Sequence, residues 1–197
     1  MNEPIAMGRD DEREIRELVG RFDAPAYVRR ARQVEDAYRQ LVEQCRRQRN
    51  ELLGMVRIRL GQLVAMSGQG EGLRGWLGDD SAVDRLLRLH DELRPELRVV
   101  PPPGDSARAL RRAALELEQS IARFNVRWQA FLNQVDLRPV NLLREGYNRH
   151  YLLEKECAIR SPRLAREGYR PLAPLTVADL ATELPLLPVL NLVGGRQ

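Results

Sequence analysis

Lysine is nearly absent from this chain. One residue, Lys155, stands against 31 arginines, and the two types together make up the 32 basic residues. A codon-level preference, of the kind a GC-rich bacterial genome imposes, accounts for the bias with no function attached, although arginine is also the side chain suited to phosphate and interface contacts. Histidine is as scarce, with only His90 and His150 available to any metal or acid-base site. The two cysteines, Cys45 and Cys157, lie far apart. They have neither the paired spacing of a zinc site nor the density of a disulfide scaffold, so buried free thiols are expected. No run of about 18 uncharged apolar residues occurs, which predicts no membrane insertion. The opening "MNEPIAMGRDDEREIREL" turns acidic where a secretory leader is apolar, so a soluble, cytoplasmic protein is expected. Aromatic residues are few and not interleaved with basic ones, and no nucleic-acid module is recognisable.

What is present is helical patterning. Asp23 followed by Pro25 makes a helix start. From there Tyr27, Ala31, Val34, Tyr38, Leu41, Cys45, Gln48, Leu52 and Met55 alternate steps of 4 and 3, a heptad seam. Past Leu52 the register moves to Val56, Leu60 and Leu63, as at a stutter. One helix of about 40 residues, about 60 Å long, is predicted. After the breaker "VVPPPGDS", with Asp105 or Ser106 as cap, Leu110, Ala114, Leu117, Ile121, Phe124, Trp128, Phe131 and Val135 repeat the pattern. Two seams joined by a compact link predict an all-α fold built on a long antiparallel, coiled-coil-like hairpin, because an apolar stripe must be buried. Parallel pairing in a homo-oligomer would use the same heptads.

The link, 67–105, begins with the glycine-rich "SGQGEGLRGWLGDDS", read as a flexible loop. Its G-x-G-x-x-G string, Gly70, Gly72 and Gly75, follows a helix and lacks the strand context of a nucleotide fingerprint. Ser81 with Asp84 resembles a capping box ahead of a short helix turning Val83, Leu86, Leu87 and Leu93 inward. Ahead of the hairpin, Ile15, Leu18, Val19 and Phe22 mark a small amphipathic helix in the acidic segment 1–24.

A third helix is expected from Val140 to Ile159, with Pro139 in its first turn. Its face carries Leu143, Tyr147, His150, Tyr151, Glu154, Cys157 and Ala158. His150, Glu154 and Cys157 are the candidates for a metal site or a thiol enzyme. His150 and Cys157 are seven positions apart, about 10 Å along the axis, too far for a base to reach its nucleophile. Hydrogen bonding within the bundle, or a polar recognition surface, explains these residues better, so no catalytic residue, cofactor or metal is assigned. "REGY" recurs at Arg144–Tyr147 and Arg166–Tyr169, offering Tyr147 and Tyr169 with flanking arginines for an interface.

The tail 160–197 is a proline-rich apolar arm, with prolines at 171, 174, 185 and 188 and a short helix from Thr176, capped by Asp179, to about Leu184. "LPLLPVLNLV" must dock, either on the chain's own bundle (25–159) or on a partner. The reading is a non-enzymatic interaction protein, an adaptor, scaffold or small subunit of an assembly. Its partner-binding candidates are Tyr147, His150, Tyr151, Glu154, Tyr169, Leu186, Leu187, Val189 and Leu190. The alternative is nucleic-acid or anion contact through Arg57, Arg59, Arg108, Arg111 and Arg112 at one end of the hairpin, where arginines oppose a helix dipole. The i, i+4 pairs Glu35–Arg39 and Glu43–Arg47 point instead to an ordinary solvated face.

Overall fold

The computed structural model describes residues 24–67, 71–77, 79–94, 107–160 and 171–193, with Arg13 and Glu17 besides; the side chains of 24–28, 71–73 and 150–160 lie outside the description. Every regular element among the described residues is a helix: α1 (Ala24–Leu52), α2 (Gly54–Met66), α3 (Glu71–Leu77), α4 (Asp80–Leu93), α5 (Ala107–Gln134), α6 (Arg138–Arg160) and α7 (Val177–Glu183). None is long and apolar enough to cross a membrane. The fold is all-α, as the periodicity requires. Two compact units divide the chain, one from the described parts of 1–43 and 136–179, the other from those of 44–135 and 180–197.

The expected single long helix is two helices, parted at Leu53. Helical bonding still passes through the joint, with the Leu53 N–H donating to the Arg49 carbonyl at 3.0 Å and the Arg57 N–H to the Leu53 carbonyl at 2.9 Å. Gly54 opens α2, and glycine resists the break less than any side chain would. The register shift comes earlier than expected. Val42 and Cys45 are followed in the buried set by Leu53, Val56, Leu60 and Leu63, while Leu52 is partly exposed and Met55 is 55% exposed. Between Cys45 and Leu53 the seam is filled by Arg49, whose side chain is only 12% exposed. An arginine can hold such a place because its aliphatic stem packs while the planar guanidinium stacks, here over the Phe124 ring at 5.7 Å.

In this second unit the end of α1 and α2 together run antiparallel to α5, since Arg49 of α1 meets Phe124 and Arg59 of α2 meets Glu116. On α5, Ala114, Leu117, Ile121, Phe124 and Trp128 are buried as the heptads predict. The last step goes to Leu132, and Phe131 instead stacks on Trp128 at 5.3 Å. α4 contributes Ala82, Val83, Leu86, Leu89 and Leu93, with Leu87 only partly covered. Its cap is Asp79, not Ser81: the Asp79 carboxylate accepts from the Ser81 and Ala82 N–H groups at 2.9 and 3.3 Å. The glycine-rich stretch expected to be a loop contains α3, so Gly72 and Gly75 stand in a helix and cannot cradle a phosphate as a Gly-rich turn does. Gly70 lies outside the described residues.

In the first unit Val34 of α1 packs on Tyr147 of α6, with Ala31, Leu143 and Leu172 around them. The Arg144 guanidinium lies over the Tyr38 ring at 5.7 Å. α6 starts two residues before the expected Val140, with Pro139 in the first turn. The Asp136 carboxylate accepts from the Arg138 N–H at 3.0 Å and from its guanidinium at 2.8 Å. These bonds hold Asp136 down from the ordinary 3.8 to about 2. At the start of α7, Asp179 accepts from the Thr176 N–H at 2.8 Å, and the Asp179 N–H donates to Thr176 Oγ1 at 3.3 Å. That reciprocal box is the one expected, and it lowers the Asp179 pKa. The expected N-terminal amphipathic helix, the Asp23 cap and "VVPPPGDS" lie outside the described residues.

Candidate functional site

The tail "GYRPLAPLTVADLATELPLLPVLNLV" carries leucine at every third position on either side of α7: Leu172 and Leu175, then Leu184, Leu187 and Leu190. Three residues per turn is the period of an extended polyproline-type chain, so each set of leucines falls on one face. Leu175, Leu184, Leu187 and Leu190 are buried, and Pro185 and Pro188 face out. The arm's remaining polar groups are its main-chain N–H and C=O, and these must find partners once the leucines are covered.

They find them in asparagine side chains. In the first unit the Asn148 amide donates to the Leu172 carbonyl at 2.8 Å and accepts from the Leu172 N–H at 2.8 Å. Asn141 treats Leu175 the same way, donating at 3.0 Å and accepting at 2.7 Å. Arg144, between them, donates to the Ala173 carbonyl at 2.7 Å. The two asparagines are seven residues apart on α6, a rise of about 10.5 Å. Three residues of extended chain cover about 9–10 Å, so the two spacings match and the arm runs antiparallel to the helix.

The second unit repeats the device along α5. Asn125 donates to the Leu187 carbonyl at 3.0 Å and accepts from the Leu187 N–H at 2.9 Å. Trp128, fully buried, donates its Nε1–H to the Leu184 carbonyl at 2.9 Å. Arg49 donates to the Pro185 carbonyl and Arg85 to the Leu190 carbonyl, each at 3.0 Å. The Leu192 N–H donates to Glu118, and Leu192 follows Asn191, which has a left-handed φ of 55°. Arg49 also pairs with Glu92 at 3.5 Å, so one guanidinium ties α4, the Phe124 ring and the arm together. A seat of this kind grips main chain, which every extended peptide offers, and selects by where the leucines fall.

Against this geometry the sequence candidates separate. Leu187 and Leu190 are buried within the chain itself, whereas Leu186 (46%) and Val189 (68%) are exposed on the docked arm. Tyr147 is buried against Val34. His150, Tyr151, Glu154 and Cys157 belong to α6, but their side chains lie outside the described residues, as does all of Tyr169. Among the described residues no three His, Cys, Asp or Glu side chains are grouped to hold a metal ion. Cys45 is a buried free thiol, its pKa raised by burial. Of the five arginines, the structure brings Arg59 and Arg112 together, but across the Glu116 carboxylate, at 2.8 and 3.1 Å. Arg57 donates to Asn50 at 3.2 Å, and Arg108 and Arg111 are exposed. Glu116 thus offsets the charge that a bound phosphate would need.

A cavity of about 210 Å³ opens where the end of the arm meets α3 and α5, lined by Trp76, Asp79, Arg111 and Asn191 among others. Asp79 is engaged there as the α4 cap. Asn125, Asn141, Asn148, Trp128 Nε1 and Arg49 were not singled out from the sequence. The available signal was the three-residue leucine spacing of the tail, which called for a seat. No family model, curated protein or solved structure matches the chain significantly.

Proposed function

We propose that this chain is a non-enzymatic interaction protein, an adaptor, scaffold or small subunit of an assembly, built on an antiparallel coiled-coil-like hairpin that displays a proline-rich arm. The observation that carries the proposal is the pair Leu186 and Val189: large apolar side chains, about half and two thirds exposed, on a segment whose main chain and neighbouring leucines are pinned. A pinned segment loses little further entropy when a partner covers it, and exposed apolar residues held in place are what interfaces use.

The test is the double substitution Leu186→Asp with Val189→Asp in the full chain. It leaves every arm hydrogen bond in place, so the melting temperature should stay within about 2 °C of wild type, surface substitutions being nearly neutral. Affinity capture from the native cell should lose specific partners that the wild-type chain retains. An unchanged partner profile would refute the assignment of this face.

A further inference from the structure

We infer that the seat of residues 184–192 on α5 accepts, in place of the chain's own arm, an extended segment of a partner protein with leucine at every third residue and proline between, of pattern L-P-x-L-P-x-L. The inference rests on reading the chain as an interaction protein, but uses a different surface from Leu186 and Val189.

Three observations support it. First, every hydrogen bond described between the arm at 184–192 and α1, α4 or α5 joins a helix side chain to arm main chain: Trp128 donates to Leu184, Arg49 to Pro185, Arg85 to Leu190 and Asn125 to Leu187, while Asn125 also accepts from the Leu187 N–H and Glu118 from the Leu192 N–H. No side chain of the arm is read except the leucines that fill the seat, so nothing in the recognition requires the segment to be covalently attached. Second, an empty seat would give up the hydrogen bonds that Trp128 Nε1–H and the half-buried Asn125 amide make to the arm and would expose to water the apolar surface that Leu184, Leu187 and Leu190 cover, so it favours an occupant. Third, prolines at 185 and 188 face outward and hold the segment extended beforehand, which lowers the entropy lost on docking in cis or in trans. Specificity then lies in the spacing: Leu184, Leu187 and Leu190 are all buried, and an alternating β-type segment cannot present leucines at that interval on one face.

The full chain carrying Leu187→Asp, which loosens the tethered arm, tests this against a fluorescent peptide of residues 183–193, read by anisotropy. The peptide should bind the variant at least 10-fold tighter than wild type, because the intact arm competes at an effective concentration on the order of millimolar. Adding Asn125→Ala should weaken peptide binding about 30-fold by removing both bonds to one residue. Equal binding to wild type and variant, equal binding of a peptide with its leucines moved to every second position, or no binding at all overturns the inference. As a check independent of the variant's folding, the same peptide with a photo-crosslinker at the Leu186 position is added to wild type at millimolar concentration. Crosslinks should fall around Asn125, and their absence or a different location overturns the inference. A concentration-dependent wild-type dimer that Leu187→Asp abolishes would assign the seat to a second copy and overturn the partner assignment. Failure here with the effect of Leu186→Asp and Val189→Asp on partner capture intact removes this inference alone.

Discussion

Asn125→Ala should unlatch the arm while the helices stay folded. Four buried leucines in this segment, Leu184, Leu187, Leu190 and Leu192, contribute roughly 9 kcal/mol at about 2.2 kcal/mol each. Ordering the nine residues from 184 to 192 costs about 13 kcal/mol at about 1.5 kcal/mol each. Apolar burial alone therefore falls slightly short. Six main-chain hydrogen bonds, at about 1 kcal/mol each, bring docking to a small net gain. Asn125 supplies two of them, and Leu187 is only 3% exposed, so its N–H and C=O gain no full hydration when the amide is removed. The loss of about 2 kcal/mol equals the net gain itself, and the docked population should fall to near parity with the open one. Hydrogen exchange at the Leu187 amide should accelerate about 30-fold, and a nonspecific protease should clip the chain between 184 and 193 first. Exchange at α5 core amides such as Ile121 should change less than 3-fold. Leu187 exchange within about 3-fold of wild type would mean that leucine packing alone holds the arm, refuting the account of the clamps.

Other consequences can be checked by denaturation and titration. Arg49→Lys should cost about 1–2 kcal/mol in urea unfolding, because a single ammonium cannot stack on Phe124 while bonding the Pro185 carbonyl and pairing with Glu92. Gly54→Ala should stabilise by about 0.5–1 kcal/mol, since a Cβ there meets nothing within 4 Å and alanine favours a continuous helix; a loss would show that the joint needs glycine. Asp136, held down from 3.8 to about 2 by Arg138, contributes stability that is complete above pH about 4 and disappears as pH falls through about 2. The melting temperatures of wild type and Asp136→Asn should therefore differ by a constant amount above pH 4 and converge between pH 4 and 2.

The α5 core was legible because Ala114, Leu117, Ile121, Phe124 and Trp128 keep strict heptad steps and all are buried. The seam of α1 was legible at Val34 and Cys45, but between them Val42 is buried in place of the expected Leu41. Beyond Cys45 a charged residue, Arg49, occupies an interior position, and hydropathy counts an arginine as surface whatever its guanidinium stacks on. The α4 cap was misplaced by two residues because Asp79 and Ser81 are both good capping types, and only the hydrogen bonds separate them. The asparagine clamps left no pattern, since their partner is main chain, which is the same at every position. The apolar run of the arm called for a seat without saying which helix would hold it.

The pairing of Asn141 and Asn148 with Leu175 and Leu172 works like a rack and pinion cut at seven teeth to three. Such a mesh admits no gradual slippage. One residue inserted between Leu172 and Leu175 would displace the next main-chain pair by about 3 Å, a full hydrogen-bond length, and turn a leucine out of its socket. Engagement is therefore all or nothing at each tooth. Drift in length along this part of the arm is tolerated only in steps that preserve the ratio, while substitutions at the outward prolines leave the gearing untouched.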